Sequence, residues 1–239
     1  MRPPLLRPSA IMLIIGLIGV MVACRKDPAE PEVPGNGPTP ASANVPQWVL
    51  DSIGPMMPGA NNPLTVEGIA LGRKLFHDPL LSDNYTQSCA SCHAQQSGFS
   101  DSLAFSVGTN GATGSRNAMA VINLGWDEHF FWDGRRHTLE EQAHDPVTNP
   151  IEMRNTWPVV VQRLQDDPDY VQMFAKAFGT TPIDSTQVVK AIAQFERTLI
   201  SFNSPFDRFQ YLGDSTALNA QEQRGAGRLH ARRALCGLP

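Results

Sequence analysis

The chain has no surplus of positive charge: 19 Lys and Arg stand against 23 Asp and Glu, a net charge of −4. No basic stripe and no long block of either sign interrupts it, which argues against nucleic acid as a partner. It also lacks an apolar run of the ~20 residues that a membrane-spanning helix needs. Cysteine is scarce, with four in 239 residues, and their positions suggest no disulfide framework. Sustained alternation of apolar and polar residues is missing, so strands are expected to be few. No segment repeats another, unless the last stretch begins a second unit.

What is present is enough for a core: 239 residues, 41% of them hydrophobic, can build one domain or two small ones. Arg2 and Arg7 precede an uncharged apolar stretch from Ala10 to Ala23 that ends at Cys24. The charged flank and the small residue before Cys24 fit a cleaved secretory signal. Met21-Val22-Ala23-Cys24 resembles a lipoprotein box. Residues 1–24 are therefore expected to be a lipoprotein-type signal peptide, with Cys24 lipidated as a membrane anchor. An uncleaved anchor and plain secretion are the alternatives, and each exports the rest of the chain. From Arg25 to Gln47 the composition turns to Pro, Ala, Gly, Asn and Glu and reads as a disordered tether.

From Trp48 the chain reads as mainly α, with helices joined by long Gly/Pro/Asn loops. Thr65 to Phe76 spaces Val66, Ile69, Ala70 and Leu75 as an apolar face, and Asp78-Pro79 stops it. Thr138 and Glu141 match a capping box that opens a short helix. Pro158 suits the first turn of a helix to Gln165, and Asp167-Pro168 separates it from a second with Tyr170, Met173, Phe174 and Ala177 on one side and Gly179 as its cap. Asp184 with Gln187 opens the strongest helix, marked by Val188, Ile192, Phe195 and Leu199. Residues 97–116 and 145–156 have turn chemistry and little periodicity; loops of that length are often functional.

Cys89-Ala90-Ser91-Cys92-His93 is a Cys-x-x-Cys-His pattern, the attachment signal for c-type haem. On a helical turn, residues at i, i+3 and i+4 share a face, so two thiols can reach the vinyl groups while the imidazole swings beneath the iron. A Cys89 to Cys92 disulfide would leave His93 unexplained, and zinc would need a second ligand pair at a spacing the chain does not offer. The expected fold is thus a c-type cytochrome domain with long irregular loops. The sixth iron position separates an electron carrier from a peroxide-reactive protein. His77, His129, His137, His144 and several Met residues are candidates for it by type. A peroxidase also needs a distal acid/base, and Glu140, Glu141, Gln142 and Glu152 are all available.

From Leu71 to Gly213 the chain resembles the bacterial di-haem cytochrome c peroxidase family, including its MauG-like branch. The matching segments are Leu71-Gly72-Arg73-Lys74-Leu75-Phe76, the haem motif, Gly98-Phe99-Ser100-Asp101, Arg116-Asn117-Ala118 and Phe131-Trp132-Asp133-Gly134-Arg135. They continue through Leu139-Glu140-Glu141-Gln142-Ala143, Asn149-Pro150-Ile151-Glu152-Met153, Phe195-Glu196-Arg197-Thr198-Leu199 and Ser204-Pro205-Phe206-Asp207-Arg208. The resemblance implies an N-terminal haem domain over 48–213 whose haem c meets hydrogen peroxide. It implies His93 as proximal iron ligand, Glu152 as the acid/base and Gln142 as its distal polar partner. Trp132 falls where the family relays electrons between two haems, and Asn117 where it supplies a ligand to a bridging calcium. Thr109 stands where other members carry a distal histidine, which implies an open distal site that needs no reductive activation.

The family continues into a second haem domain with its own motif. Residues 214–239 are expected to be the start of that domain, ended at Cys236-Gly237-Leu238-Pro239 by a frameshift or truncated reading. The resulting expectation is an exported, periplasmic peroxidase that takes electrons from a small donor such as cytochrome c. Its turnover should be slow, because the reducing equivalents must arrive singly. A mono-haem electron carrier and a non-functional fragment are the alternatives.

Overall fold

The structure is a computed structural model that describes residues 37–57, 59, 61–179 and 182–236, with side chains through Leu229. The export signal expected over 1–24, with Cys24, and the tether up to Asn36 lie outside the described residues. Among the described residues there are α-helices, short 3-10 turns and four isolated antiparallel bridges, with no strand.

The helices are α1 (Gln47–Ser52), α2 (Val66–His77), α3 (Cys89–Cys92), α4 (Leu139–Thr148), α5 (Trp157–Gln165), α6 (Pro168–Phe178), α7 (Ser185–Glu196), α8 (Pro205–Tyr211) and α9 (Ala220–Cys236). Their starts follow the sequence signals. Thr65 caps α2 by accepting the Gly68 N–H at 3.0 Å. Thr138 caps α4 through the Glu141 N–H, while Glu141 reaches back to the His137 N–H. Asp184 and Gln187 form the reciprocal box of α7.

α7 is the central element and packs against α2 and α4. Val188, Val189, Ala191, Ile192, Ala193, Gln194, Phe195 and Glu196 are all buried, and Leu199 falls past its end. Of the face the periodicity suggests on α2, Leu75 is buried and Ile69 packs against the core, but Val66 and Ala70 turn outward. Gly68, Leu71, Gly72, Leu75 and Phe76 are buried, whereas Val66 is 53% exposed and Ala70 is exposed. The reason is close packing: a Cβ on Gly72 would overlap the Ala191 carbonyl oxygen. The glycines let the two backbones meet, so they sit at the centre of the buried stripe.

α4 also differs from expectation, since it continues through Asp145 to Thr148 with Pro146 inside it. Residues returning from the next turn complete its end: Met153 N–H donates to the Pro146 carbonyl at 3.1 Å and Asn155 N–H to the Val147 carbonyl at 2.9 Å. Only 149–156 of the expected loop is free of helix. At the other end of the chain, the stretch read as a tether is held from Thr39 onward. Thr39 donates from both N and Oγ1 to Glu67, and Pro40 bridges to Thr65.

A polar network runs beneath α2, α4 and α7. Gln194 accepts the Thr65 N–H and donates to Asn62; Asn62 donates to Glu140 at 2.6 Å. Arg197 holds both oxygens of Glu140, at 2.9 and 3.0 Å. Each charge is hydrogen-bonded to its partner, which lets a buried ion pair persist.

Candidate functional site

The motif Cys89–His93 stands on one short turn. Ser88 and Ser91 cap α3 reciprocally, and the His93 N–H closes the turn on the Cys89 carbonyl at 2.9 Å. Both thiols are free and partly buried. Cys89 and Ala90 pack against the main core, and the Phe76 ring lies 6.4 Å from that of His93. Burial, reinforced by the nearby Glu196 carboxylate, pushes the Cys89 thiol well up; burial and Asp101 do the same to Cys92. Burial also holds His93 below the usual histidine range, which favours the neutral imidazole that metal ligation requires.

The orientation of His93 comes from the turn that follows it. Gly98 at φ +67° and Phe99 at φ +56° bring the Phe99 carbonyl back to the ring, where it accepts from His93 Nδ1 at 3.1 Å and from the Val121 N–H at 3.0 Å. A backbone acceptor on Nδ1 favours the tautomer in which Nε2 would be the metal-binding nitrogen. Two free thiols at i and i+3, an oriented imidazole at i+4 and an apolar loop fit a covalently attached haem. Leu103, Phe105 and Val107, exposed by 48%, 52% and 40%, lie on that loop, and the Val107 carbonyl is 4.0 Å from Cys92 Sγ.

The same loop brings in Glu152. Its far end docks on the 151–152 backbone, with Thr109 N–H donating to the Glu152 carbonyl at 2.8 Å. A Cβ on Gly108 would overlap the Ile151 carbonyl oxygen. Thr109 is buried, and its hydroxyl has no partner. Asn149 Nδ2 donates to Glu152 Oε1 at 2.7 Å. Burial raises the Glu152 carboxyl above its usual range, with the Asn149 bond opposing, and its charge is felt at both Cys89 and Cys92. A carboxyl that holds its proton more tightly than usual therefore lies in electrostatic reach of the motif.

Trp132 and Asn117 are also brought together. The indole is 56% exposed, so it is not core, and its N–H donates to the Asn117 carbonyl at 3.1 Å. Gln142 is half-buried on α4. Among the other histidines, His77 bonds the Arg73 carbonyl and His144 packs on Trp157. Among the described residues no three His, Cys, Asp or Glu side chains are gathered to hold a metal ion.

Two contributors had no sequence signal of their own: the Phe99 carbonyl, a backbone group, and Asn149, whose role depends on a turn. Glu196 is a third. It is 4% exposed at the end of α7, and its Oε2 has no partner. Burial, opposed by Arg197 and reinforced by Glu140, pushes it up to about 8 from an ordinary 4.5. The folded state thus keeps a proton that the unfolded chain releases, and stability should fall as pH rises through that window. Denaturant titrations across it should show this decline, and Glu196→Gln should flatten it.

Residues 66–216 match the sequence model of a family described as di-haem cytochrome c peroxidase. The methylamine utilization protein MauG of Methylorubrum extorquens is 46% identical over 165 residues, covering 69% of this chain and 46% of that protein. Cytochrome c peroxidase Ccp of Escherichia coli is 41% identical over 164 residues, 68% of this chain and 35% of that one. The chain spans about half or less of the length of these relatives. A solved MauG-like protein associated with microbial copper homeostasis superposes with a TM-score of 0.70 at 35% identity, covering 78% of this chain and 54% of that one. The diheme peroxidase BthA from Burkholderia thailandensis gives 0.60 at 25%, covering 70% and 47%. With a Cys-x-x-Cys-His turn and a family match across most of the described domain, the chain belongs to the di-haem cytochrome c peroxidase family.

Proposed function

We propose that the chain forms the peroxide-facing haem module of an exported c-type peroxidase. The reaction is H2O2 + 2 e⁻ + 2 H⁺ → 2 H2O, with the electrons supplied by a small redox protein such as cytochrome c. The observation that carries the reading is the juxtaposition of Glu152 with the attachment turn. A simple electron carrier has no use for a half-buried carboxyl of raised proton affinity in reach of the motif, whereas peroxide cleavage needs a group that moves a proton between two oxygens.

In this reading Cys89 and Cys92 would hold a haem through thioether links and His93 would ligate its iron. Bound haem supplies the redox centre at which peroxide is reduced. Glu152 would take a proton from one peroxide oxygen and return it to the other as the O–O bond breaks. Asn149 occupies its Oε1, which aims the carboxyl and leaves Oε2 for that transfer. Gln142 is the distal polar partner. Trp132 carries electrons toward the haem, its indole steadied by the Asn117 carbonyl, and the Asn117 side chain is a calcium ligand. The chain acts in the periplasm, held to the membrane through a lipid on Cys24.

The test is spectroscopic. Haem-loaded protein in the ferric state should show the absorption and EPR of a five-coordinate, high-spin iron, and stoichiometric peroxide should change that spectrum promptly. A six-coordinate low-spin spectrum that peroxide leaves untouched would mean an electron carrier.

A further inference from the structure

His129 and His137 sit directly opposite each other across a bridged hairpin. Phe130 pairs with Arg136 in an antiparallel bridge, with the Phe130 N–H on the Arg136 carbonyl at 2.8 Å. The next residues outward, 129 and 137, are therefore a cross-strand pair, the arrangement that brings Cβ atoms to about 4.5–5.5 Å. Their rings are 4.9 Å apart between centroids, with 69° between planes. Both residues are exposed, so water can reach them.

That separation is what a shared ion requires. A cation about 2.0–2.1 Å from one nitrogen of each ring, with a chelate angle of about 90–109°, puts the two ring centres about 4.5–5.2 Å apart. The surrounding charge permits it. Arg135 is paired with Asp133, and Arg136 is bonded through two nitrogens to Asp145. Glu141 lies beside His137, its Oε2 accepting the His137 N–H at 3.0 Å. Gly134, at φ +66°, puts no side chain over His129.

We propose that His129 and His137 form a two-imidazole site for a borderline divalent transition cation, of the Zn²⁺ or Cu²⁺ class, with water completing its coordination. The hairpin backbone is held by the bridge and by the Arg136–Asp145 pair, which keeps the two histidines opposed. Imidazole nitrogen selects such ions over Mg²⁺ or Ca²⁺, which prefer oxygen. The proposal does not rest on the peroxidase reading.

The experiment is calorimetric titration of the haem-loaded full chain with Zn²⁺, paired with EPR of the Cu²⁺-loaded protein. One ion per chain should bind, and His129→Ala or His137→Ala should each weaken it ~10-fold or more. The Cu²⁺ signal should carry coupling to two nitrogens in the parent protein and to one in either variant. His77→Ala, which removes an exposed histidine elsewhere, should leave binding unchanged. Unchanged haem absorption and circular dichroism in the variants would show that the fold survives. No saturable binding up to about 1 mM Zn²⁺, or binding that persists in the double variant, would overturn the proposal.

Discussion

Glu152→Ala should slow the reaction of the haem-loaded protein with hydrogen peroxide by ~100-fold or more, measured by stopped-flow absorption under pseudo-first-order conditions. The size follows from what the side chain does in the proposed reaction, since without it the proton must move through bulk water. Glu152→Gln is the sharper variant. It keeps the length and can still accept from Asn149 Nδ2, yet cannot take up a proton at the same position. Comparable losses in the two variants would assign the effect to proton transfer, not to a cavity. The pH profile gives a second readout. The ionised carboxylate is the form that accepts the peroxide proton, so the rate should fall as pH drops through the carboxyl's raised pKa. That limb should vanish in the glutamine variant. Losses under threefold in both would remove Glu152 from the reaction.

Gly72→Ala should cost about 3 kcal/mol or more of folding stability, a large part of the roughly 5–15 kcal/mol a domain has. The added Cβ would overlap the Ala191 carbonyl oxygen and stand 2.6 Å from its carbon and 3.0 Å from Phe195 Cβ. Two of these three atoms belong to backbone, so no flexible side chain can move aside; α2 and α7 must part, and the core between them opens. Gly225→Ala is the natural comparison. Nothing lies within 4 Å of a Cβ there and the residue is in the interior of α9, so the change should stabilise by roughly 0.5–1 kcal/mol. Urea denaturation of both variants checks the contrast in sign. A Gly72→Ala loss below about 1 kcal/mol would mean that the two helices do not depend on that close approach.

How much of this could be read from the sequence varied with the range of the interaction. Local signals located helices well: Thr65, Thr138, Asp167 and Asp184 all stand at N-caps. The Cys-x-x-Cys-His turn was equally plain, because it is written in five consecutive residues. Facing was not. The apolar stripe of α2 was assigned to Val66, Ile69, Ala70 and Leu75, of which Ile69 and Leu75 meet the core, but Gly68 and Gly72 were passed over although close helix packing depends on them. The loop expected from Asp145 begins only after Thr148, because the Met153 and Asn155 N–H groups come back to complete the helix end, a long-range contact that local turn chemistry does not show. Within the site, residue types identified Glu152 among several carboxylates only through family resemblance. What sets it apart physically is burial, the Asn149 bond and the docking of a loop more than forty residues earlier, all long-range facts.

The seating of Gly108 on the Ile151 carbonyl has a consequence for how such a site can change over evolutionary time. The loop from Phe99 is anchored at both ends, by the paired donors on the Phe99 carbonyl and by Thr109 on Glu152. Between the anchors, Leu103 and Phe105 lie exposed, while Ser106 is tied to Asp101 and to the Arg116 carbonyl. Insertions and deletions around Leu103 and Phe105 would reshape the exposed surface of the loop while the histidine and the carboxyl stay in register. A residue gained or lost beside Gly108 has no such freedom, because it would shift the seat on which Glu152 rests. Variation and constraint are thus separated within ten residues, which gives one scaffold a means of diversifying its exposed surface without rebuilding its chemistry.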